Sequence, residues 1–206
     1  FLSDFGDQDC YVPAVKAKML SINPQLNIID ICHDIEPFEI EHAAFLLKSV
    51  FREFPKGTVH LVGINTADDL TQGYMGAKLE DHIFICPNNG ILSLITEQEP
   101  GIMVQFADIH LQYTPFPTKD ILAPIAAKVA SGAAIHDFGG PLKGFRKLMS
   151  RQAKATREHI IGHVIRIDRY GNLITNIQRE VFEKLNPGKF TIQFGRESVQ
   201  RLQKGY

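Results

Sequence analysis

Apolar positions along the first two-thirds of the chain follow two alternating rhythms. Short apolar or β-branched runs at residues 28–32, 58–64, 83–86 and 103–106 predict strands, and residues 1–3 look like the end of another. Between them, Val12, Val15, Met19 and Ile22, then Ile40, Ala44, Leu47 and Phe51, recur at three and four residues and predict helices. Pro13 falls in the first helical turn, where a missing N–H costs nothing, and Asn23-Pro24 ends that helix. Phe54-Pro55-Lys56-Gly57 breaks the second, and an Ala-rich helix over 121–131 closes at Gly132. Sustained alternation of this kind predicts an α/β fold, a mostly parallel sheet sandwiched by helices.

Beyond residue 132 the rhythm dissolves. Residues 133–157 contain Gly139-Gly140-Pro141 and a cationic stretch from Lys143, which reads as a solvated interdomain connection. Residues 160–167 and 189–194 then read as strands around a turn at Tyr170-Gly171-Asn172. The expected organisation is an N-terminal α/β domain at 1–132, a linker at 133–157 and a smaller antiparallel β domain at 158–206, incomplete as it stands. Because the chain opens at Phe1 and stops at Tyr206 just after a strand-like segment, both ends are expected to be cut.

Composition narrows the partners. With 22 Lys and Arg against 23 acidic residues and a net charge of -1, nothing draws the chain to a phosphate backbone or an anionic bilayer, so neither nucleic acid nor membrane is expected. Cys10, Cys32 and Cys86 are odd in number and sit beside apolar residues, which predicts reduced, packed thiols and a cytoplasmic location.

In an open α/β sheet, ligands sit beyond the carboxyl ends of the strands, so the polar clusters that follow them are the candidate chemistry. These are Asp4-Phe5-Gly6-Asp7-Gln8-Asp9, His33-Asp34, Asn65-Thr66-Ala67-Asp68-Asp69 and Pro87-Asn88-Asn89-Gly90. Carboxylates in such loops suit a vicinal diol, since hydrogen bonds to a charged group contribute roughly 1.5 to 3 kcal/mol each. No metal or cofactor is expected: the carboxylates lack EF-hand spacing, and the eight histidines form no paired ligand motif. A strand-turn-helix setting for a nucleophilic Ser or Cys is also missing.

The clusters, taken in order, resemble a known family. Ser3-Asp4-Phe5-Gly6 with Asp9 and Tyr11-Val12, Asp30-Ile31-Cys32-His33 with Pro37, Phe54-Pro55-Lys56-Gly57-Thr58-Val59-His60, Pro87-Asn88-Asn89-Gly90-Ile91-Leu92, Asp120-Ile121-Leu122-Ala123-Pro124 and Ile167-Asp168-Arg169-Tyr170-Gly171-Asn172 are similar to motifs of the S-adenosyl-L-methionine hydroxide adenosyltransferases, relatives of fluorinating and chlorinating enzymes. The resemblance implies a homotrimer with sites shared between subunits and a small adenosyl ligand, S-adenosylmethionine being substrate and not cofactor. It implies that Asp4 holds the ribose hydroxyls, Phe38 packs near the ribose, Asp168 meets the methionine ammonium, and Tyr170 and Asn172 contact adenine. Asn65 and Thr118 complete the implied ligand-binding set.

The same resemblance implies water activation by an Asp, an Arg and a His, and this chain departs at all three. Asn65 stands where the Asp is expected, no arginine lies between Arg52 and Arg146, and the His-Gly-Arg-Asp motif reads Pro117-Thr118-Lys119-Asp120. Asp68, Asp69 and Lys119 are the candidate substitutes. Two functions follow as alternatives: a divergent hydrolase converting S-adenosylmethionine and water to adenosine and methionine, or a binding protein or relative acting on another adenosyl compound.

Overall fold

A computed structural model describes residues 1–66, 73–106, 114–149, 152–185 and 188–202. The chain divides into two compact units, Phe1–Ser150 and Arg151–Tyr206. In the first, the elements are β1 (Leu2–Ser3), α1 (Tyr11–Ile22), α2 (Ile40–Val50), β2 (Val59–Gly63), β3 (Tyr74–Leu79), β4 (His82–Pro87), α3 (Ile91–Ile95), β5 (Ile102–Gln105), α4 (Ala123–Ala130) and β6 (Gly140–Pro141).

Six strands form one sheet in the order β1-β2-β4-β3-β5-β6. The pairs β1–β2 and β2–β4 are parallel, whereas β3 is antiparallel to both β4 and β5, and β6 is antiparallel to β5. Strands β1, β2, β4 and β5 therefore share one direction, and β3 and β6 run against them. Period-two alternation sends Leu61, Ile85 and Tyr74 to one face, where Val12, Val15 and Met19 of α1 and Ile125, Ala126 and Val129 of α4 cover them. Val62, Phe84, Cys86, Met75 and Ala77 point to the other face, under Ala43, Ala44 and Leu47 of α2 and Ile91, Leu92 and Ile95 of α3. Burial of side chains this size stabilises by roughly 1.5 to 3 kcal/mol each, so the two apolar layers hold the sheet.

Four expectations change. Strand β3 and helix α3 carry no recognisable rhythm in the sequence. The 28–32 run is not a full strand: Leu2 bridges Cys32, the Ile31 N–H bonds the Phe1 carbonyl, and the segment merely accompanies β1. Cys10 is exposed, and only Cys86 is the deeply packed thiol expected, its pKa pushed up to about 12 by burial. The Ala-rich helix begins with a π-helical turn over Thr118–Leu122 before α4.

The second unit contains β7 (Lys154–Ala155), β8 (Ile160–Ile161), β9 (Val164–Ile167), β10 (Leu173–Thr175), α5 (Arg179–Lys184), β11 (Ile192–Phe194) and β12 (Glu197–Val199). They pair as three small antiparallel ladders, β7–β8, β9–β10 and β11–β12. The strand that follows the Tyr170-Gly171-Asn172 turn is thus β10; the later run expected to follow it pairs instead with β12. Among the described residues, no helix is long and apolar enough to cross a membrane.

Candidate functional site

Parallel pairing of β1 with β2 sets Leu2 beside Val62 and Ser3 beside Gly63, so the two strands release Asp4 and Asn65 at the same rim. One oxygen of Asp4 connects the loops there. Its Oδ2 accepts the backbone N–H of Phe38 and that of Asn65, each at 3.1 Å. Both donors sit in the left-handed region, Phe38 at φ 71° and Asn65 at φ 47°. Asn adopts this conformation readily and Phe does not; such backbone costs about 1–3 kcal/mol and persists where surrounding contacts over-determine it. Asp4 Oδ1 takes no hydrogen bond from the described residues, and the Phe38 ring is 58% exposed beside it in space.

His33 backs this rim and does not face a ligand. It is buried, its Nδ1 lies 2.7 Å from Ser3 Oγ, and its Nε2 is 3.1 Å from Asp30 Oδ1, an ion-pair distance without hydrogen-bond alignment. Burial lowers the His33 pKa, while Asp30 pushes it back up. Lys16 bonds the other Asp30 oxygen. The Gly6 N–H donates to the His33 carbonyl at 2.9 Å, closing the loop around Asp4.

Thr118 is fully buried and donates to Thr66 Oγ1 at 3.2 Å. Its methyl occupies the space over Gly63: a Cβ there would lie 2.8 Å from Thr118 Cγ2 and 3.3 Å from the Phe5 ring. Phe5 and Tyr11 each meet Phe116 edge-on at 5.4 Å between centroids. Pro117 is buried at the head of the π-helical turn. Lys119 is engaged elsewhere, with Nζ 3.2 Å from Asp120 Oδ1 and 5.6 Å above the Phe116 ring. Thr114, bonded to the other Asp120 oxygen, holds that carboxyl below its usual range.

Next to Asn65 lies a cavity of about 300 Å³, lined by Thr66, Tyr74, Asn88, Asn89 and Arg146 among others. Asn65 Oδ1 is buried and has no donor among the described residues. Its neighbours are fixed: the Tyr74 hydroxyl donates to the Thr66 carbonyl at 3.0 Å, and Asn89 Nδ2 to the Ile64 carbonyl at 2.9 Å. Arg146 arrives from the cationic stretch expected to be solvated. Its N–H donates to Asn88 Oδ1 and that of Leu148 to Ser93 Oγ, each at 2.9 Å, so the segment straps over the end of β4. No periodicity announces this contact; the asparagine pair after β4 was the available signal.

In the second unit, Asp168, Tyr170 and Asn172 meet in a single turn. Asp168 Oδ1 accepts the N–H of Tyr170 at 2.8 Å and of Asn172 at 2.9 Å, and Oδ2 accepts the Asn172 side-chain amide at 2.8 Å. The Asn172 amide, then these N–H groups, lower the Asp168 pKa. Gly171 supplies the positive φ of 83° that the turn needs, and the Tyr170 ring is 86% exposed.

Models of the SAM hydroxide adenosyltransferase N-terminal and C-terminal domains match residues 1–139 and 162–206. The chain belongs to this family. Fluorinase from Nocardia brasiliensis is 28% identical over 91% of this chain and 73% of its own length. The (R)-S-adenosyl-L-methionine hydrolase of Methanocaldococcus jannaschii is 29% identical over 86% of this chain and 66% of its own. An uncharacterized conserved protein from Thermotoga maritima superposes with a TM-score of 0.88 at 30% identity, covering 97% of this chain and 80% of that one.

Of the positions expected to matter in a SAM hydroxide adenosyltransferase, Asp4, Phe38 and Asn65 are joined directly, and Thr118 reaches the same rim through Thr66. Asp68 and Asp69 lie outside the described residues. Among the described residues, no three His, Cys, Asp or Glu gather as a metal site.

Proposed function

We propose that the chain binds S-adenosylmethionine and hydrolyses it slowly to adenosine and L-methionine, as a divergent member of its family. The observation that carries this reading is Asp4, whose Oδ2 is committed to Phe38 and Asn65 while Oδ1 is left for a hydroxyl. A ribose diol donating to that oxygen would be gripped beside an exposed aromatic face. In the reaction, water oxygen bonds to C5′ as the C5′–S bond breaks, the electron pair passes to sulfur, and the water proton leaves to solvent. The sulfonium is already a good leaving group, so positioning and desolvation dominate.

Asn65 accepts a hydrogen bond from the attacking water through Oδ1 but cannot take its proton, and Pro117 can do neither. Because general-base catalysis contributes about 10² to 10⁴ in rate, turnover is expected to be slow. Lys119, paired with Asp120, is a poor substitute. In the second unit, the exposed Tyr170 ring suits a purine face, and Asp168 retains acceptor capacity on Oδ2 for an ammonium. We also propose a homotrimer, which light scattering at micromolar concentration tests.

The decisive experiment is product analysis after incubation with S-adenosylmethionine, for the wild type and for Asn65→Asp, an exchange the left-handed backbone tolerates. Adenosine and methionine from the wild type, produced faster by the variant, are the expected result. Adenosine binding without product from either protein would favour the non-catalytic alternative.

A further inference from the structure

We propose that Arg146 makes the cavity beside Asn65 a subsite for a small anion and supplies there the positive charge that the chain otherwise lacks. This deepens the hydrolase reading and rests on it for its role in catalysis. Asn65 and Arg146 line the same cavity of about 300 Å³, which has room for several waters. The buried Asn65 Oδ1, without a donor among the described residues, holds a hydroxylic species by accepting its hydrogen. An amide oxygen orients such a species but attracts no anion; a guanidinium, charged at every accessible pH, does.

The strap fixes where Arg146 stands. Its own N–H and that of Leu148 are anchored on Asn88 and Ser93, and Leu148 lies so close over Gly90 that a Cβ there would fall 2.4 Å from Leu148 Cγ. Leu142 and Phe145 pack the strap's other side onto the α2–α3 core. These anchors use backbone and apolar groups, so they survive replacement of the guanidinium. Within the proposed reaction the anion is hydroxide: its oxygen bonds to C5′, the C5′–S bond breaks, the electron pair passes to sulfur, and the opposite charges cancel with no proton left over.

The test compares the full chain with Arg146→Gln and Arg146→Lys in three measurements: S-adenosylmethionine turnover against pH with and without nitrate, adenosine affinity by calorimetry, and the chloride-35 NMR line width. For Arg146→Gln we expect kcat to fall about tenfold or more, with KM and adenosine affinity within about twofold of wild type, on the ground that binding and charge stabilisation separate in such variants. Nitrate inhibition and the excess chloride line width disappear with the guanidinium and persist in Arg146→Lys. Unchanged turnover in Arg146→Gln, or adenosine affinity falling in step with kcat, overturns the assignment. If the wild type makes no adenosine, the hydrolase reading fails and the chloride signal decides the subsite alone: equal line widths with wild type and Arg146→Gln sink it. Should Arg146→Gln not fold, the wild type alone decides: a protein that shows neither nitrate inhibition nor nitrate-reversible chloride broadening has no such subsite.

Discussion

Asp4 and Asp168 both follow a strand, and each accepts two backbone N–H bonds, yet their partners lie at different distances along the chain. Those of Asp4 are 34 and 61 residues away, whereas those of Asp168 are two and four. The Asp168 turn is complete within β9, β10 and their connection. The Asp4 arrangement exists only once β1, β2 and the loop before α2 have come together. One carboxylate organises its own neighbourhood; the other registers the state of the whole sheet.

Acid gives the widest separation between these regions. His60 and His82 are buried with Nε2 and Nδ1 3.2 Å apart, among Phe51, Phe54 and Phe84, and burial, then His82, lowers the His60 pKa to about 4. Between that value and the unfolded value near 6.5 the unfolded chain binds more protons, so this contribution is complete above pH 6.5 and fades as pH falls toward 4. It is worth on the order of 3 kcal/mol. Urea unfolding of the Phe1–Ser150 unit should show this loss, and His60→Leu should flatten the profile; an acid-insensitive midpoint in the wild type would refute it.

Asp4→Ala comes next. It removes the acceptor that holds Phe38 and Asn65, and adenosine affinity should drop by about 1.5–3 kcal/mol in calorimetry. An unchanged affinity takes Asp4 out of the site. Gly63→Ala sharpens the long-range side of the contrast, because its Cβ collides with Thr118 without touching Asp4. A loss of about 1–3 kcal/mol in stability is expected from overpacking, with adenosine affinity declining in parallel; thermal unfolding and calorimetry read the two. The smallest effect is that of Asp168→Ala, which should loosen the Tyr170-Gly171-Asn172 turn in NMR while leaving the thermal midpoint of the Phe1–Ser150 unit where it was.

Legibility in the sequence follows the same division. Elements with a clean rhythm, α1, α2, β2 and β4, were readable because one face of each is uniformly apolar. Strand β3 was not: Tyr74, Met75, Gly76 and Ala77 are all buried, so no alternation shows, and Gly76 looks like a breaker although it leaves room for Ile135 and Phe106. The reverse error at 28–32 came from β-branched residues that have the composition of a strand without a ladder to join. Asp4, Phe38 and Asn65 were legible through motif resemblance and strand-end placement. The bonds that unite them were not, since a φ of 71° at a phenylalanine follows from tertiary contacts and not from local preference. Arg146 stayed hidden because a hydrogen bond to Asn88 from 58 residues away leaves no periodic trace.

The connection between β3 and β4 bears on the order in which the molecule assembles. Only Glu80 and Asp81 join the strands, both at positive φ as a tight hairpin requires, and Arg52, Lys56 and Lys78 pair with them. Hairpins of this kind close in about 1–10 μs, well before distant strands meet. Standing mid-sheet, this one is a ready template for β2 on one side and β5 on the other, while β1 adds at the outer edge from far along the chain. The rim at Asp4 should therefore be the last part to close and the first to fray. Amide exchange at Ser3 and Gly6 should outpace exchange within the hairpin, and adenosine should slow it at those two positions alone; slower exchange there than in the hairpin would reverse the order. A ligand would then act on this protein as a latch on its final folding step.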